Sequence, residues 1–137
     1  MAPISPTVAN WALGLRLREK REGMGLSGMA AAKRIGITGA YLSEVEKGKK
    51  NLAPDRLGTL VDVYAIPADE AEELRTLRDQ AAQRGWWAKY SGMFSDELIR
   101  FFGLEYGAET IHGYDGNLIW GLFQTRDYAR AIIESGR

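Results

Sequence analysis

The stretch Gly23–Gly28, GMGLSG, has the glycine spacing G-x-G-x-x-G, which serves two very different purposes in proteins. In dinucleotide-binding enzymes it turns the chain from a buried strand into a helix whose N-terminus holds a pyrophosphate. Here the preceding residues, Leu15–Glu22, carry six charged side chains among eight. Such a segment cannot be a strand buried on both faces of a parallel sheet. The spacing therefore favours the alternative, a bend between two helices.

The chain offers few side chains for catalysis or metal binding. It has no cysteine and one histidine, His112, which excludes disulfides, thiolate nucleophiles and cysteine-ligated zinc or iron–sulfur centres. A lone histidine near a turn, without the setting of a serine or cysteine nucleophile, gives little support to an enzyme. We therefore expect no catalytic residue, no metal and no cofactor.

Charge is divided unevenly along the 137 residues, although the formal net charge is zero. Residues 1–66 carry ten Lys and Arg against six Asp and Glu, a net charge of +4, whereas residues 67–137 carry eight against twelve, a net charge of −4. This division predicts two modules, the first of which suits a polyanion. Residues 1–10 lack the pattern of a secretory signal, and no apolar run approaches the roughly 18 residues of a membrane span. We expect a cytoplasmic protein.

Helical spacing of apolar residues predicts five helices in residues 11–84, after a loose arm at residues 1–10. Ser27 and Thr38 are the expected N-caps of the second and third helices, with Gly36 as the turn between them. On the third helix the expected buried residues are Leu42 and Val45, and those expected to point outward are Gly39, Ala40, Ser43, Glu44 and Lys47.

The character of the sequence changes after Gly85. Aromatic residues come first, and Trp86, Trp87 and Tyr90 are expected to pack in a core or between domains because no basic groove surrounds them. A helix is then predicted from Ser95, followed by a hairpin turned at Asp115-Gly116 and a final helix. The predicted fold class is mainly α, with a five-helix domain at residues 11–84 and a small, incomplete α+β segment at residues 85–137.

The first of these modules contains residues that match a known family pattern in register, namely Arg18, Arg21, Leu26, Ser27, Ala32, Gly36, Ile37, Thr38, Tyr41, Leu42, Ser43, Val45, Glu46, Gly48 and Pro54. Through these residues the module resembles the XRE/Cro-C1 helix-turn-helix family. Such a resemblance implies a lambda-repressor-like domain that places a recognition helix, residues 38–47, in the major groove of double-stranded DNA. A homodimer on a pseudo-palindrome is expected, because one module buries little DNA. The family also implies that Glu46 ties the recognition helix to the first helix.

Candidate DNA contacts follow from these positions and from the three lysines after the recognition helix. Glu44 can accept from cytosine, and Gly39 and Ala40 can meet a thymine methyl, whereas lysines neutralise phosphates. The family often has polar side chains at Gly28, Gly39 and Ala40, so this chain has fewer groups for reading bases. The expected DNA-binding residues are Arg18, Ser27, Gly28, Thr38, Gly39, Ala40, Tyr41, Ser43, Glu44, Lys47, Lys49 and Lys50.

The second module is similar to the partner-binding domain of actinobacterial regulators of the Scr1-type antitoxin-like family, through RGWWAKY and the run from Gly103 to Ala131. The similarity implies a small partner protein encoded nearby. Trp120 stands where that family usually has proline, and its members are longer, so we expect a truncation within the second domain. Two functions remain open: a sequence-specific, nucleoid-associated DNA-binding transcriptional regulator, or an antitoxin-like interaction module with weak or lost specific DNA binding.

Overall fold

A computed structural model of the chain describes residues 2–136. This part of the chain contains seven α-helices and two short 3₁₀ helices and no β-strand, so the mainly α fold class is confirmed. The α-helices are α1 Pro6–Gly23, α2 Gly28–Ile35, α3 Gly39–Glu46, α4 Pro54–Val63, α5 Ala68–Ala81, α6 Asp96–Tyr106 and α7 Arg126–Ser135, and the 3₁₀ helices are Trp86–Tyr90 and Gly121–Phe123.

The glycine-rich stretch is the bend between α1 and α2, as the charge pattern before it predicts. Gly23 ends α1, and Gly25 has a φ of +67°, in the left-handed region that suits glycine. Ser27 then caps α2, its Oγ accepting a hydrogen bond of 3.1 Å from the amide of Ala30. A helix precedes the first glycine, so the stretch is not the strand-to-helix turn of a dinucleotide site.

The first five helices enclose one hydrophobic core. Apolar residues at helical spacing on each helix point toward the other helices, which is why these segments form a bundle. The approach of α1 to α3 is close because Gly14 has no side chain: a Cβ there would lie 2.4 Å from the carbonyl oxygen of Val45. The core residues are Leu13, Leu17, Ala31, Ala32, Ile35, Leu42, Val45, Leu52, Leu57, Leu60, Val61, Tyr64, Ile66, Ala71 and Leu74.

The predicted arm at residues 1–10 is wrong from Pro6 onward, because α1 begins there rather than at Trp11. Ser5 is the N-cap and is buried, and its Oγ donates a hydrogen bond of 2.6 Å to the carbonyl of Gly103. Pro6 takes the first helical position, where its missing N–H costs nothing. The Ser5 cap and Pro6 are thus a local signal for this start, and the contact with α6 adds a tertiary interaction to it.

The predicted hairpin around Asp115-Gly116 is also wrong, and with it the α+β description of residues 85–137. The turn itself exists, since Asp115 Oδ1 accepts from the amides of Asn117 and Leu118 at 2.8 and 3.1 Å. The flanking residues do not pair as strands. Side chains take the place of a partner strand: the Ile119 amide donates to the Tyr128 hydroxyl at 3.1 Å. Gln124 Nε2 donates to the Ile119 carbonyl at 2.6 Å.

Aromatic side chains join the segment after α5 to α6. Trp87 is 5% exposed and its ring lies 5.3 Å from that of Tyr106, so the expected packing role is confirmed for this residue. Trp86 contacts both Trp87 and Phe102 but is 52% exposed. Among the described residues, no helix combines the length and the apolar content that crossing a bilayer requires.

Candidate nucleic-acid interface

Helices α2 and α3 form a helix-turn-helix with a three-residue connection, Gly36–Thr38. Gly36 adopts φ 71° and ψ 36°, and the Ile37 amide returns to the Ala32 carbonyl at 3.0 Å, which closes the end of α2. Ile37 packs against the core. Thr38 then caps α3, its Oγ1 accepting from the Tyr41 amide at 3.1 Å.

One face of α3 packs inward and the opposite face remains accessible. Leu42 and Val45 are 0% and 1% exposed, which confirms them as the buried face. The predicted outward residues are all at least partly accessible to solvent, with Ala40 and Lys47 the most exposed class and Gly39, Ser43 and Glu44 intermediate. A ridge of small side chains therefore runs along α3, with the acid and the lysine at its C-terminal end.

The predicted residues at the helix N-termini have roles of their own in the fold. The hydroxyl oxygens of Ser27 and Thr38 accept backbone amides, which leaves each hydroxyl hydrogen free to donate. A Cβ on Gly28 would meet only open space, whereas one on Gly39 would lie 3.3 Å from Met29 Cγ. Gly39 thus allows α2 and α3 to approach each other, in addition to any contact with a base.

The Arg21–Glu46 ion pair joins the end of α1 to the end of α3. The guanidinium makes two bonds to the carboxylate, of 2.6 and 2.9 Å, and a third to the Leu26 carbonyl at 2.8 Å. Both side chains are largely buried, 12% and 8% exposed. The hydrogen bond to Glu46 raises the pKa of Arg21, which favours the charged guanidinium. The structural role expected of Glu46 is confirmed.

Other basic side chains of α1 point in different directions. Arg16 and Lys20 pair with Glu73 and Glu70 of α5, each at 2.7 Å, and so lie on the side of α1 that faces α5. Arg18, the predicted DNA contact, is exposed and donates to Glu22 one turn later at 2.8 Å. Hydrogen bonding to Arg18 lowers the pKa of Glu22.

The segment Lys47–Asn51, here called the lysine loop, follows α3 directly. It carries Lys47, Lys49 and Lys50, which are all exposed. The amides of Lys49 and Lys50 return to the Glu44 carbonyl at 2.9 and 3.3 Å, which folds the loop back onto α3. The loop therefore presents its three ammonium groups next to the C-terminal end of the outward face of α3.

Tyr41, one of the expected DNA-binding residues, makes a hydrogen bond within the protein. Its hydroxyl donates to the Asn51 carbonyl at 2.6 Å, so its one hydrogen is already used within the protein. The ring packs at the edge of the core. In this conformation Tyr41 fixes the far end of the lysine loop.

Three residues outside the predicted set also shape this surface. Asn10 Nδ2 donates to the carbonyls of Gly48 and Lys50 at 3.0 and 3.4 Å, and Arg100 Nη2 donates to that of Lys47 at 2.9 Å. Gly14 sets the spacing of α1 and α3. A glycine inside an amphipathic helix is a readable signal for Gly14. Asn10 and Arg100 lie 38 and 53 residues from their acceptors, and nothing local in the sequence marks them.

Comparison with known proteins gives two family matches and a similar solved structure. The helix-turn-helix domain family matches residues 12–74, and the family described as Domain of unknown function (DUF5753) matches residues 98–137. One similar solved structure is described as the crystal structure of the clp gene regulator ClgR from C. glutamicum. It is 23% identical, the match covers 60% of this chain and 97% of that chain, and the TM-score is 0.45. The search of curated proteins gave no match.

The family matches and the described geometry fall on the same residues. The glycine turn, the two capped helices and the Arg21–Glu46 pair all lie inside residues 12–74. Helix α6 from Leu98 onward and α7 lie inside the second match. The chain therefore carries a region that matches the helix-turn-helix domain family and, after it, a region that matches the DUF5753 family.

Proposed function

We propose that this protein is a DNA-binding transcriptional regulator that reads a specific sequence by placing residues 38–47 in the major groove. The observation that supports it most is the accessible face of α3, which continues directly into the exposed lysine loop. A helix with an accessible face can enter the groove, and cations at its end can neutralise the phosphates beside the groove.

Different residues would supply specificity and affinity. Base reading falls to Thr38, Ser43 and Glu44, with Gly39 and Ala40 against thymine methyl groups. Phosphate contacts fall to Lys47, Lys49 and Lys50 of the lysine loop, to Arg18 on α1, and to Ser27 and Gly28 at the N-terminus of α2. Tyr41 would act by holding Asn51 rather than by donating to a phosphate.

Several finer features belong to the same proposal. We infer a homodimer on a pseudo-palindromic site, because a single module of this kind buries too little DNA for high affinity. Residues 11–84 would be the DNA-binding unit, extended at its start by the first turns of α1, and residues 85–137 the part that receives a signal. The protein would act in the cytoplasm at the nucleoid and would not be an enzyme.

The test is binding to a promoter-upstream duplex and to scrambled DNA across a salt series, with the native protein and with Lys47→Ala, Lys49→Ala and Lys50→Ala combined. Each lost phosphate contact should lower the salt slope by about 0.9 log units, so weaker binding with a shallower slope is expected. A matched control combines Arg75→Ala, Arg126→Ala and Arg130→Ala, three exposed cations of α5 and α7, with the same change of charge.

Two results would contradict the proposal. Equal affinity of the native protein for both duplexes, with binding lost by physiological salt, would remove sequence-specific regulation. An equal loss of affinity in the control triple variant would show that net charge, rather than the lysine loop, carries the binding.

The second candidate function is an antitoxin-like module that binds a small partner protein. Two observations favour it: the thin supply of base-reading groups on α3, and large apolar side chains exposed after α5, including Phe101 at 52%, Phe123 at 75% and Ile133 at 64%. Co-expression with the small protein encoded nearby, followed by co-purification, tests it. If the two proteins do not co-purify and the native protein binds DNA specifically, the antitoxin-like function is ruled out and the regulator function is kept.

A further inference from the structure

A side-chain hydrogen bond joins helix α6 to the lysine loop. Arg100 Nη2 donates a hydrogen bond of 2.9 Å to the Lys47 carbonyl, 53 residues earlier in the chain. Lys47 is the C-cap of α3, so this carbonyl belongs to the last turn of the recognition helix. Carbonyl groups at a helix C-terminus have no partner within the helix and carry partial negative charge, which makes them good acceptors for a guanidinium.

The base of α6 is fixed against α1, so Arg100 projects from a rigid element. Ser5 Oγ donates to the Gly103 carbonyl at 2.6 Å in a buried contact. A Cβ on Gly103 would lie on top of the Thr7 hydroxyl, and one on Gly107 would lie 2.7 Å from the side chains of Ser5 and Val8. These two glycines let α6 approach α1 closely.

The same stretch of α1 holds the lysine loop from the other side. Asn10 Nδ2 donates to the Gly48 carbonyl at 3.0 Å, and a Cβ on Gly48 would lie 2.6 Å from the Cα of Trp11. Gly48 has a φ of +68° and can take this position only as glycine without strain. Helix α1 and the first half of the loop thus form one packed unit.

Between α6 and the loop lies an open cavity of about 830 Å³. Lys49 and Lys50 line it on the loop side, and Asp96, Glu97 and Arg100 line it on the α6 side. The loop is therefore not packed against α6 along its length. Arg100 reaches the loop at the edge of this cavity through the hydrogen bond to Lys47.

We propose that Arg100 is a positioning residue for DNA binding: by fixing the Lys47 carbonyl it holds the end of the recognition helix and the lysine loop in their DNA-ready conformation. Arg100 lies inside the DUF5753 segment, so this contact makes the second module part of the DNA-reading surface. The inference rests on the proposed function, because it is in that function that the lysine loop contacts DNA phosphates. Its physical basis is preorganisation, since a loop that is already ordered loses less entropy on binding.

Three full-length variants test the inference. Arg100→Met keeps the length of the side chain and removes its donors, Arg100→Lys keeps one charged donor, and Arg130→Met on α7 is the control for charge. Amide hydrogen exchange of residues 47–51 reports on the loop without DNA, and a salt series of promoter binding reports on DNA affinity. Circular dichroism shows that each variant is folded.

The expected result for Arg100→Met is at least threefold faster exchange at the Lys49 and Lys50 amides, and roughly threefold to tenfold weaker DNA binding with an unchanged salt slope. Arg100→Lys should recover part of both, and Arg130→Met should change neither. An unchanged slope is decisive because a direct phosphate contact would lower it by about 0.9 log units.

Other outcomes separate the inference from the function on which it rests. Unchanged exchange in Arg100→Met would overturn the positioning role, whatever happens to DNA binding. A shallower salt slope with unchanged exchange would make Arg100 a phosphate contact and would equally overturn it. If Arg100→Met shows faster exchange but the native protein binds no promoter DNA, the contact between Arg100 and the loop is supported and the proposed function is contradicted.

Discussion

The two halves of this molecule use similar apolar residues with opposite results. Before residue 82, leucines such as Leu13 and Leu60 are at most 1% exposed, in a core shared by five helices. After it, among the residues that the structure describes, Trp87 is the large apolar side chain that is fully buried, whereas Phe101 and Ile133 are more than half exposed. Both halves form helices, so helix formation and burial are separate outcomes.

The difference teaches that an amphipathic pattern produces a helix but does not produce a core. Helix α1 packs against α3, α5 and α6, so several faces of it are covered. Helix α7 has Ile132 and Ile133 on its apolar side, yet none of its residues is buried. An apolar face stabilises a fold only where another element covers it, because the free energy comes from the area removed from water. The stability of the chain should therefore reside in α1–α5.

The largest predicted effect concerns a buried charge in the first half. Glu46→Ala leaves the guanidinium of Arg21 without its carboxylate in a site where it is 12% exposed. We expect the free energy of unfolding to fall by about 3–5 kcal/mol, measured by urea denaturation. Glu134→Ala, an exposed acid on α7, is the control and should leave the midpoint unchanged. A large effect of Glu134→Ala, or none of Glu46→Ala, would break the comparison.

The second prediction compares the loss of stability when one leucine in each half is truncated. Leu60 is 0% exposed and Leu98, in the first turns of α6, is 37% exposed. Leu60→Ala should lower the free energy of unfolding by about 2–5 kcal/mol because it opens a cavity in a closed core. Leu98→Ala should lower it by less than about 1 kcal/mol, since no closed cavity forms. Comparable losses in urea denaturation would show that α6 has a core of its own.

Two tyrosines, Tyr64 in the first half and Tyr114 in the second, should differ in how they affect stability at high pH. Burial raises the pKa of Tyr64 to about 12, from an ordinary value of 10.0, and the hydroxyl has no hydrogen-bond partner among the residues that the structure describes. A raised pKa favours the neutral phenol in the folded state, so the contribution of Tyr64 is complete below pH 10 and is lost as pH rises from 10 toward 12. The loss should reach about 2 kcal/mol relative to Tyr64→Phe, which cannot ionise.

The same substitution has a second expected result at neutral pH. Tyr64→Phe removes an unsatisfied buried hydroxyl, so stability at pH 7 should be unchanged or higher by about 1 kcal/mol. Thermal unfolding from pH 7 to pH 12 measures both effects. Tyr114→Phe, at a side chain that is 97% exposed, is the matched control and should follow the native protein. A native protein and Tyr64→Phe with parallel pH profiles would contradict the prediction.

The smallest effect needs no substitution. Amides of α7 should exchange with solvent at a small fraction of the free energy that protects α1 and α4, because no side chain of α7 is buried. Native-state hydrogen exchange across a denaturant series would measure both. Equal free energies of exchange in α7, α1 and α4 would mean that α7 unfolds together with the bundle, and would contradict the prediction.

Much of the helix-turn-helix formed by α2 and α3 could be predicted from local sequence. Ser27, Thr38 and Gly36 bound their helices by interactions within four residues, which the sequence shows directly. The buried face of α3 follows from the spacing of Leu42 and Val45. The DNA contacts of the expected binding residues stay a prediction. Among these residues, Tyr41 donates its hydroxyl hydrogen to the Asn51 carbonyl.

The rest could not be predicted because it depends on contacts between distant segments. Ser5 and Pro6 are a local signal for the start of α1, as its N-cap and its first residue, but the prediction followed the lack of apolar periodicity in residues 1–10 instead. The bond from Ser5 to the Gly103 carbonyl, 98 residues away, has no local signal. The strands expected around Asp115 failed for a related reason, since Tyr128 and Gln124 bond the backbone that a partner strand would have used.

By itself, the sequence determined the helices, their caps and the glycine bend, because these depend on interactions within one or two turns of chain. It also determined the helix-turn-helix spacing and the basic character of the first half. Only the tertiary structure decided which charges pair, as Arg21 does with Glu46, and which segments hold the lysine loop, as Asn10 and Arg100 do. Those contacts join residues far apart in sequence, and their energies exist only once the helices have packed.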